Sequence, residues 1–101
     1  MDEPLGPFFF TGELWEWDGP AAWHFVSLPA DLADLVAEVR PRVGAGFGSV
    51  RVEVTVAGTT WQTSLFPDSA RGTYLLPVKA AIRRAAGLVD GSPVEVELTL
   101  R

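Results

Sequence analysis

The sequence predicts an α+β domain that is mostly β: a small six-stranded β-barrel, closed or split, with two short helices. Three observations support this fold class. Segments that alternate apolar and polar residues, the period of a half-buried strand, recur along the chain. Proline and glycine residues separate these segments at short intervals. A compact sheet of six strands normally closes into a barrel, because closure removes its unpaired edges.

The composition fits one folded domain of 101 residues. Hydrophobic residues make up 48% of the chain and include four tryptophans and six phenylalanines, which excludes a disordered chain. No cysteine is present, so disulfides and thiolate metal sites are excluded, and we expect neither a metal nor a cofactor. The N-terminus is acidic where a secretory signal is basic, and the apolar runs are too short to span a bilayer. We therefore expect a cytoplasmic protein without membrane contact.

The first part of the chain is expected to form an arm, a hairpin and a helix. Residues 1–7 contain two prolines and a glycine and are assigned to a flexible arm, and residues 8–101 to the barrel domain. Residues 8–17 are rich in aromatics and favour a strand, which a turn at residues 18–20 connects to a second strand over residues 23–28.

The first helix is predicted between Pro29 and Pro41. Apolar residues at helical spacing define its buried face: Leu32, Leu35, Val36 and Val39. A glycine-rich loop follows over residues 43–48.

The alternation of apolar and polar residues predicts the next three strands. Every second residue of the segment 50–56 is valine, which makes it the clearest half-buried strand in the chain. Gly58 lies in a short connection to a fourth strand through residues 61–65, so these two strands should form a second hairpin. A loop and a short fifth strand over residues 73–76 complete this part of the chain.

The C-terminal quarter predicts a second helix and a last strand. We expect Pro77 to start the helix and Gly87 to end it in the left-handed conformation. The buried stripe of this helix is expected to consist of Val78, Ala81, Ile82 and Ala85. A turn at residues 90–91 then leads into a strand over residues 94–100 in which valine and leucine alternate with polar residues.

The order of these segments resembles a known family. The resemblance is carried by FTGELW (10–15), WHFVSLP (23–29), VRVEV (50–54), WQTSLFP (61–67), and the closing helix with Gly91. Together they resemble a bacterial family, the domain-of-unknown-function family nineteen-oh-five, over about residues 8–100. The resemblance implies a small barrel similar to the double-split barrels, which include transcription regulators and antitoxins. It implies no catalytic residues, and it implies a helical, bacteriocin-protection-like partner domain in relatives.

Aromatic residues suggest a binding site. Trp15 and Trp17 lie on the face of the first strand opposite Leu14, so one of its two apolar faces should form a pocket or an interface. The predicted ligand-binding residues are Trp15, Trp17, His24 and Trp61. Aromatic barrel mouths bind apolar or ring ligands, but these side chains, with Trp23 and Tyr74, could instead fill the barrel and cap its ends. The leading interpretation is a non-catalytic binding or interaction module for an unidentified small molecule or protein.

The charge distribution allows an alternative. Residues 1–39 carry eight acids and no Lys or Arg, whereas residues 40–84 carry seven bases. An antitoxin-like barrel would contact nucleic acid through Arg40, Arg42, Arg51, Lys79, Arg83 and Arg84. The net charge of −5 argues against a polyanion partner, because affinity for phosphates comes from basic clusters.

A third interpretation is a small enzyme. His24 is the only histidine and could act as a general base if a carboxylate such as Glu13 or Glu16 lay beside it. The alternative is a structural histidine, since no nucleophile-elbow motif accompanies it.

Overall fold

The computed structural model describes residues 3–19, 22–40 and 48–101. The strands are β1 (Leu5–Glu16), β2 (His24–Ser27), β3 (Val50–Val56), β4 (Thr59–Asp68), β5 (Thr73–Pro77) and β6 (Pro93–Leu100), and the helices are α1 (Ala30–Val39) and α2 (Ala80–Ala86). The strands close into a barrel in the order β1-β2-β5-β4-β3-β6, with antiparallel pairing throughout. The mostly β, six-stranded barrel with two helices is therefore confirmed, and it is closed.

The β3–β4 hairpin shows how local sequence builds the barrel. Its strands pair in register from Val50 opposite Leu65 to Val56 opposite Thr59. Ala57 and Gly58 connect them with positive φ angles of 49° and 80°. A two-residue turn with positive φ angles matches the twist of the paired strands. Glycine adopts a positive φ without strain, whereas alanine does so at a cost.

The barrel interior is packed with aliphatic side chains. Alternate residues of every strand point inward, and the fully buried ones include Leu14, Val26, Val52, Val54, Leu65, Leu76, Leu98 and Leu100. Helix α1 adds Leu32, Ala33 and Val36 to this core, and Leu35 and Val39 pack partly buried against it. The apolar stripe predicted for the first helix thus faces the barrel.

Strand β1 is longer than the sequence indicated. It begins at Leu5, which pairs with Leu100 of β6, so residues 5–7 belong to the strand rather than to an arm. It pairs with β6 as far as Glu13 and then with β2 from Leu14 onward. Gly12 lies just before this exchange, where an added Cβ would approach Val26 Cγ1 to 2.5 Å. Glycine therefore permits the close approach of β1 and β2.

The start of the second helix was predicted wrongly. Pro77 is the last residue of β5, opposite Phe25 of β2, and the helix begins at Ala80 after the extended Lys79. Val78 therefore lies before the helix and does not define its buried face, and the predicted stripe is only half right. Val78 and Ile82 are buried, whereas Ala81 and Ala85 are exposed. Gly87 ends the helix with a φ of 67°, as predicted.

The two helices lie at opposite ends of β5. Thr73, at the start of β5, donates a hydrogen bond to the carbonyl of Leu28 just before α1. At the other end, the N–H of Val78 donates to the carbonyl of His24 at 3.0 Å, which fixes the approach to α2. Neither helix in the described part of the chain is long and apolar enough to cross a bilayer.

Candidate functional site: an aromatic groove outside the barrel

A second apolar cluster lies on the outer wall of the barrel. Trp15 of β1 is the cross-strand partner of Phe25 of β2, and the adjacent pair, Leu14 and Val26, points into the core. Since successive side chains of a strand point to opposite faces, Trp15 and Phe25 lie outside. These two rings are in contact, with centroids 5.4 Å apart.

This outer cluster continues across β5 to β4. Leu75 of β5 pairs with Ser27 of β2 on one side and with Phe66 of β4 on the other. Although they face outward, Phe25 and Leu75 are only 6% and 4% exposed. Their burial means that neighbouring side chains cover them, so the outer wall has a small apolar layer of its own.

Two tryptophans at the ends of the first hairpin supply part of this cover. The N–H of Trp17 donates to the carbonyl of Trp23 at 2.7 Å, which extends the β1–β2 pairing beyond the strands. Trp17 lies edge-on to Phe25 with a centroid distance of 6.0 Å, and Trp23 is tilted against Phe25 at 6.1 Å. Both indoles therefore contact the same buried phenyl ring.

These side chains border a groove with a volume of about 440 Å³. We call it the aromatic groove; its lining residues are Trp17, Trp23, Phe25, Phe66, Pro67, Asp68 and Leu75. Three of its aromatic side chains remain well exposed: Trp17 at 42%, Trp23 at 54% and Phe66 at 41%. The buried Phe25 and Leu75 thus form its base, and the exposed rings form its sides.

Asp68, at the edge of the aromatic groove, forms an ion pair with Arg71. The Arg71 guanidinium carbon lies 4.4 Å from the ring centroid of Trp15 and 5.6 Å from that of Trp17, within cation–π range. Arg71 Nη1 donates to Asp68 Oδ2 at 2.7 Å. This hydrogen bond is the main cause that holds the pKa of Asp68 below its ordinary value, against the opposing effect of partial burial.

Further hydrogen bonds orient the polar groups around the groove. Asp68 Oδ1 accepts the backbone N–H groups of Ala70 and Arg71, at 3.1 and 3.3 Å. The indole N–H of Trp15 donates to Ser27 Oγ at 3.0 Å, across β1 and β2. Both the carboxylate and the Trp15 ring are therefore fixed before any ligand binds.

A family model described as Domain of unknown function (DUF1905) matches residues 10–98. The chain belongs to this family. The match includes every residue that lines the aromatic groove of this DUF1905 barrel, and the family assignment agrees with the resemblance found in the sequence. No curated protein matches the chain.

The four predicted ligand-binding residues do not lie together in the DUF1905 barrel. Trp15 and Trp17 belong to the outer cluster, with centroids 6.0 Å apart. Trp61 is the cross-strand partner of the fully buried Val54, so it points inward and packs against the core. Its indole nitrogen is buried without a hydrogen-bond partner among the described residues.

His24 lies near the groove but not in it. It precedes the outward-facing Phe25 on β2 and lines a separate cavity of about 400 Å³, which Trp23 also borders. Glu16 is its cross-strand partner, whereas Glu13 pairs with β6. His24 Nδ1 is buried and makes no hydrogen bond to any described residue, so the structure shows no carboxylate bonded to this nitrogen.

The basic residues considered for nucleic-acid contact lie on different parts of the barrel. Arg51, on β3, donates to Ser64 Oγ at 3.1 Å, and Arg40, at the end of α1, donates to the Glu3 carbonyl at 2.9 Å. The bases of the α2 segment are Lys79, Arg83 and Arg84. A hydrogen bond from Val78 to His24 holds that segment next to β2. Strand β3, which carries Arg51, is three strands away from β2 in either direction around the barrel, so these bases do not share one surface. Arg42 lies outside the described residues.

Sequence reasoning missed several residues of the aromatic groove. Phe25 could have been included, because it shares a strand face with Trp23 at a spacing of two residues. The Asp68–Arg71 pair gives only a weak signal, an acid and a base three residues apart in a loop. Phe66 and Leu75 give none, since only the β4–β5 register brings them beside β2.

Proposed function

We propose that this protein is a non-catalytic binding module whose partner occupies the aromatic groove. One observation carries the proposal: Trp17, Trp23 and Phe66 remain exposed side by side on the outside of a barrel whose interior is packed without them. Isolated exposed apolar residues are normal on protein surfaces, but a contiguous group of large ones marks a contact surface. The cysteine-free composition also supports placing this module in a bacterial cytoplasm, where thiols stay reduced.

The aromatic groove offers a partner a substantial hydrophobic contribution. Each 100 Å² of apolar surface that binding removes from water contributes about 2.5 kcal/mol, before the entropic cost of association. Indole and phenyl rings can also stack on flat or extended groups of a partner. The groove is therefore suited to a ligand or peptide with apolar or ring-containing groups.

The rings in and next to the aromatic groove are already in place for binding. Trp15 is held by its hydrogen bond to Ser27, and Trp17 and Trp23 rest on the buried Phe25. A preformed site loses less conformational entropy on binding than a site that must be ordered. These contacts support binding of a partner to a preformed surface on the outside of the barrel, rather than to a pocket that opens on binding.

The proposal can be tested by NMR, through the indole N–H signals of a ¹⁵N-labelled sample titrated with a library of aromatic fragments and short peptides. We expect saturable shifts at Trp17 and Trp23 and none at Trp61, which packs against the core. Trp23→Ala and Phe66→Ala should weaken such binding at least about tenfold, by loss of stacking and apolar contact.

Phe9→Ala is the matched control, because Phe9 is a 72% exposed aromatic residue on β1 that does not line the groove. Its effect on binding should be less than about twofold. The proposal is wrong if no compound shifts the Trp17 and Trp23 signals at millimolar concentration. It is equally wrong if Phe9→Ala reduces binding as strongly as Trp23→Ala.

A further inference from the structure

We propose that the partner is a polypeptide segment that inserts an arginine side chain, and that this guanidinium replaces that of Arg71 over Trp15 and Trp17. This inference rests on the proposed function and adds the chemical class of the occupant. It follows from the position of Arg71, from the charges along the aromatic groove, and from the rings that Arg71 leaves uncovered.

Arg71 marks a place where a guanidinium binds the outer wall. Its cation lies over two indole rings and pairs with one carboxylate, Asp68, yet its own side chain is 49% exposed. A pair at such an exposed position is weakened by solvent and by the entropy of holding a long side chain. A partner's arginine, anchored by further contacts in the groove, can therefore displace it.

Asp68 remains oriented when the Arg71 side chain leaves. Its Oδ1 is held by the backbone N–H groups of Ala70 and Arg71, and these bonds do not involve the guanidinium. Only Oδ2 bonds to Arg71 Nη1. Displacement thus exposes one oxygen of a largely buried carboxylate, whose side chain is 9% exposed, and presents it to the incoming cation.

The charges around the aromatic groove favour a cation. Among the described residues that line it, Asp68 is the only charged one. Two further acids, Glu16 and Asp18, flank Trp17 in the sequence. The bases Lys79 and Arg83 line the separate cavity that also contains His24, and Arg83 Nη1 donates to the Val78 carbonyl at 2.7 Å. Arg71 lies beside the groove, but its pairing with Asp68 makes it a weak partner for a carboxylate ligand.

A polypeptide fits the aromatic groove better than a free small cation does. The guanidinium of Arg71 lies over Trp15 and Trp17, whereas Trp23 and Phe66 remain exposed farther along the groove. A guanidinium in that position would leave these two rings uncovered. Apolar residues beside an arginine in an extended segment would cover them, since the groove crosses neighbouring strands β2, β5 and β4.

The test uses isothermal titration of the full chain with an acetylated, amidated peptide, Leu-Pro-Arg-Pro-Leu, and with the same peptide carrying citrulline, the neutral isostere of arginine. We expect citrulline to weaken binding about tenfold or more, since it removes the charge needed for the cation–π contacts and for pairing with Asp68. Guanidinium chloride and tetramethylammonium chloride should bind at least about tenfold more weakly than the arginine peptide, because they leave the apolar part of the groove empty.

Two variants test the replacement itself. Asp68→Asn keeps an oxygen that can accept the two backbone N–H groups but removes the charge, so the preference for arginine over citrulline should fall to less than about threefold. Arg71→Ala removes the internal competitor and should tighten binding of the arginine peptide by about threefold or more. The control is Glu97→Gln, an exposed acid on β6 outside the aromatic groove, for which we expect less than a twofold change.

The outcomes separate this inference from the proposed function. Equal binding of the arginine and citrulline peptides, while aromatic fragments still bind, would overturn the inference and leave the groove as a binding site. Weaker binding of the arginine peptide to Arg71→Ala would overturn the replacement, and small cations binding as tightly as the peptide would overturn the choice of a polypeptide. If neither fragments nor peptides bind, the proposed function fails as well.

Discussion

Two parts of the barrel's outer wall, built from the same kind of strand, carry opposite surfaces. On β3 and β6 the outward residues are polar or charged: Arg51, Glu53, Thr55, Glu95, Glu97 and Thr99. On β1, β2, β5 and β4 the outward residues include an apolar group: Trp15, Phe25, Leu75 and Phe66. Both parts have the same aliphatic core behind them, so the core does not require the aromatic side chains. This difference is the basis of our proposal that a partner contacts the aromatic side chains of the outer wall.

Interior and outer wall should respond differently to truncation. Leu98→Ala removes a fully buried side chain from the core and should lower the free energy of unfolding by about 2–5 kcal/mol. Phe66→Ala, at an exposed position of the outer wall, should cost about 1 kcal/mol or less. Urea denaturation of both variants measures the contrast. If Phe66→Ala costs as much as Leu98→Ala, the aromatic wall is part of the folding core and the comparison fails.

The closing helix gives a second contrast of this kind. Ile82→Ala deletes buried methylenes and should cost about 2–4 kcal/mol in the free energy of unfolding. Arg83→Ala loses the hydrogen bond from its guanidinium to the Val78 carbonyl and should cost about 0.5–1.5 kcal/mol. Chemical denaturation of the two proteins decides the order. A larger loss for Arg83→Ala would show that α2 is held by its polar contact rather than by its apolar side.

A substitution at Gly12 tests the place where β1 changes its partner from β6 to β2. In Gly12→Ala the new methyl group would lie 2.5 Å from Val26 Cγ1, in a core that cannot easily yield. We expect a loss of about 1–3 kcal/mol in the free energy of unfolding. Thr11→Ala, one residue earlier on the exposed face of β1, is the control and should cost less than about 0.5 kcal/mol. Equal losses would mean that the close approach of β1 and β2 at Gly12 does not determine the effect.

The pH dependence of Asp68 gives the smallest effect. Because its pKa is lowered in the folded chain, its contribution to stability is present above the ordinary value of 3.8 and is lost as the pH falls through the lowered pKa. Asp68→Asn should therefore be less stable than the parent at pH 7 by about 0.5 kcal/mol, because the Arg71 side chain of the pair is half exposed and solvent weakens the interaction. The two proteins should become equal in stability at the acidic end of a thermal-denaturation series. A difference that persists there would have a cause other than the charge.

The sequence by itself determined the number of the strands, their order along the chain and the end of the second helix. Alternation is a local property of the chain, and the regular valines of residues 50–56 predict a half-buried strand whatever its neighbours are. Gly87 is similarly local, because a residue with no Cβ adopts the left-handed conformation at little cost. The prediction was wrong at Pro77. Proline favours the first turn of a helix, but here the pairing of β5 with β2 keeps Pro77 in a strand.

Only the tertiary structure decided which residues form the aromatic groove. Alternation placed Trp15 and Trp17 on one face of β1, but only the register of β2, β5 and β4 determines which residues lie beside that face. The contacts among β1, β2, β5 and β4 join residues as far apart in sequence as Trp15 and Arg71. Strand order and register result from burying the whole core at once. A pattern along the chain can therefore predict the face of a strand but not the neighbour across from it.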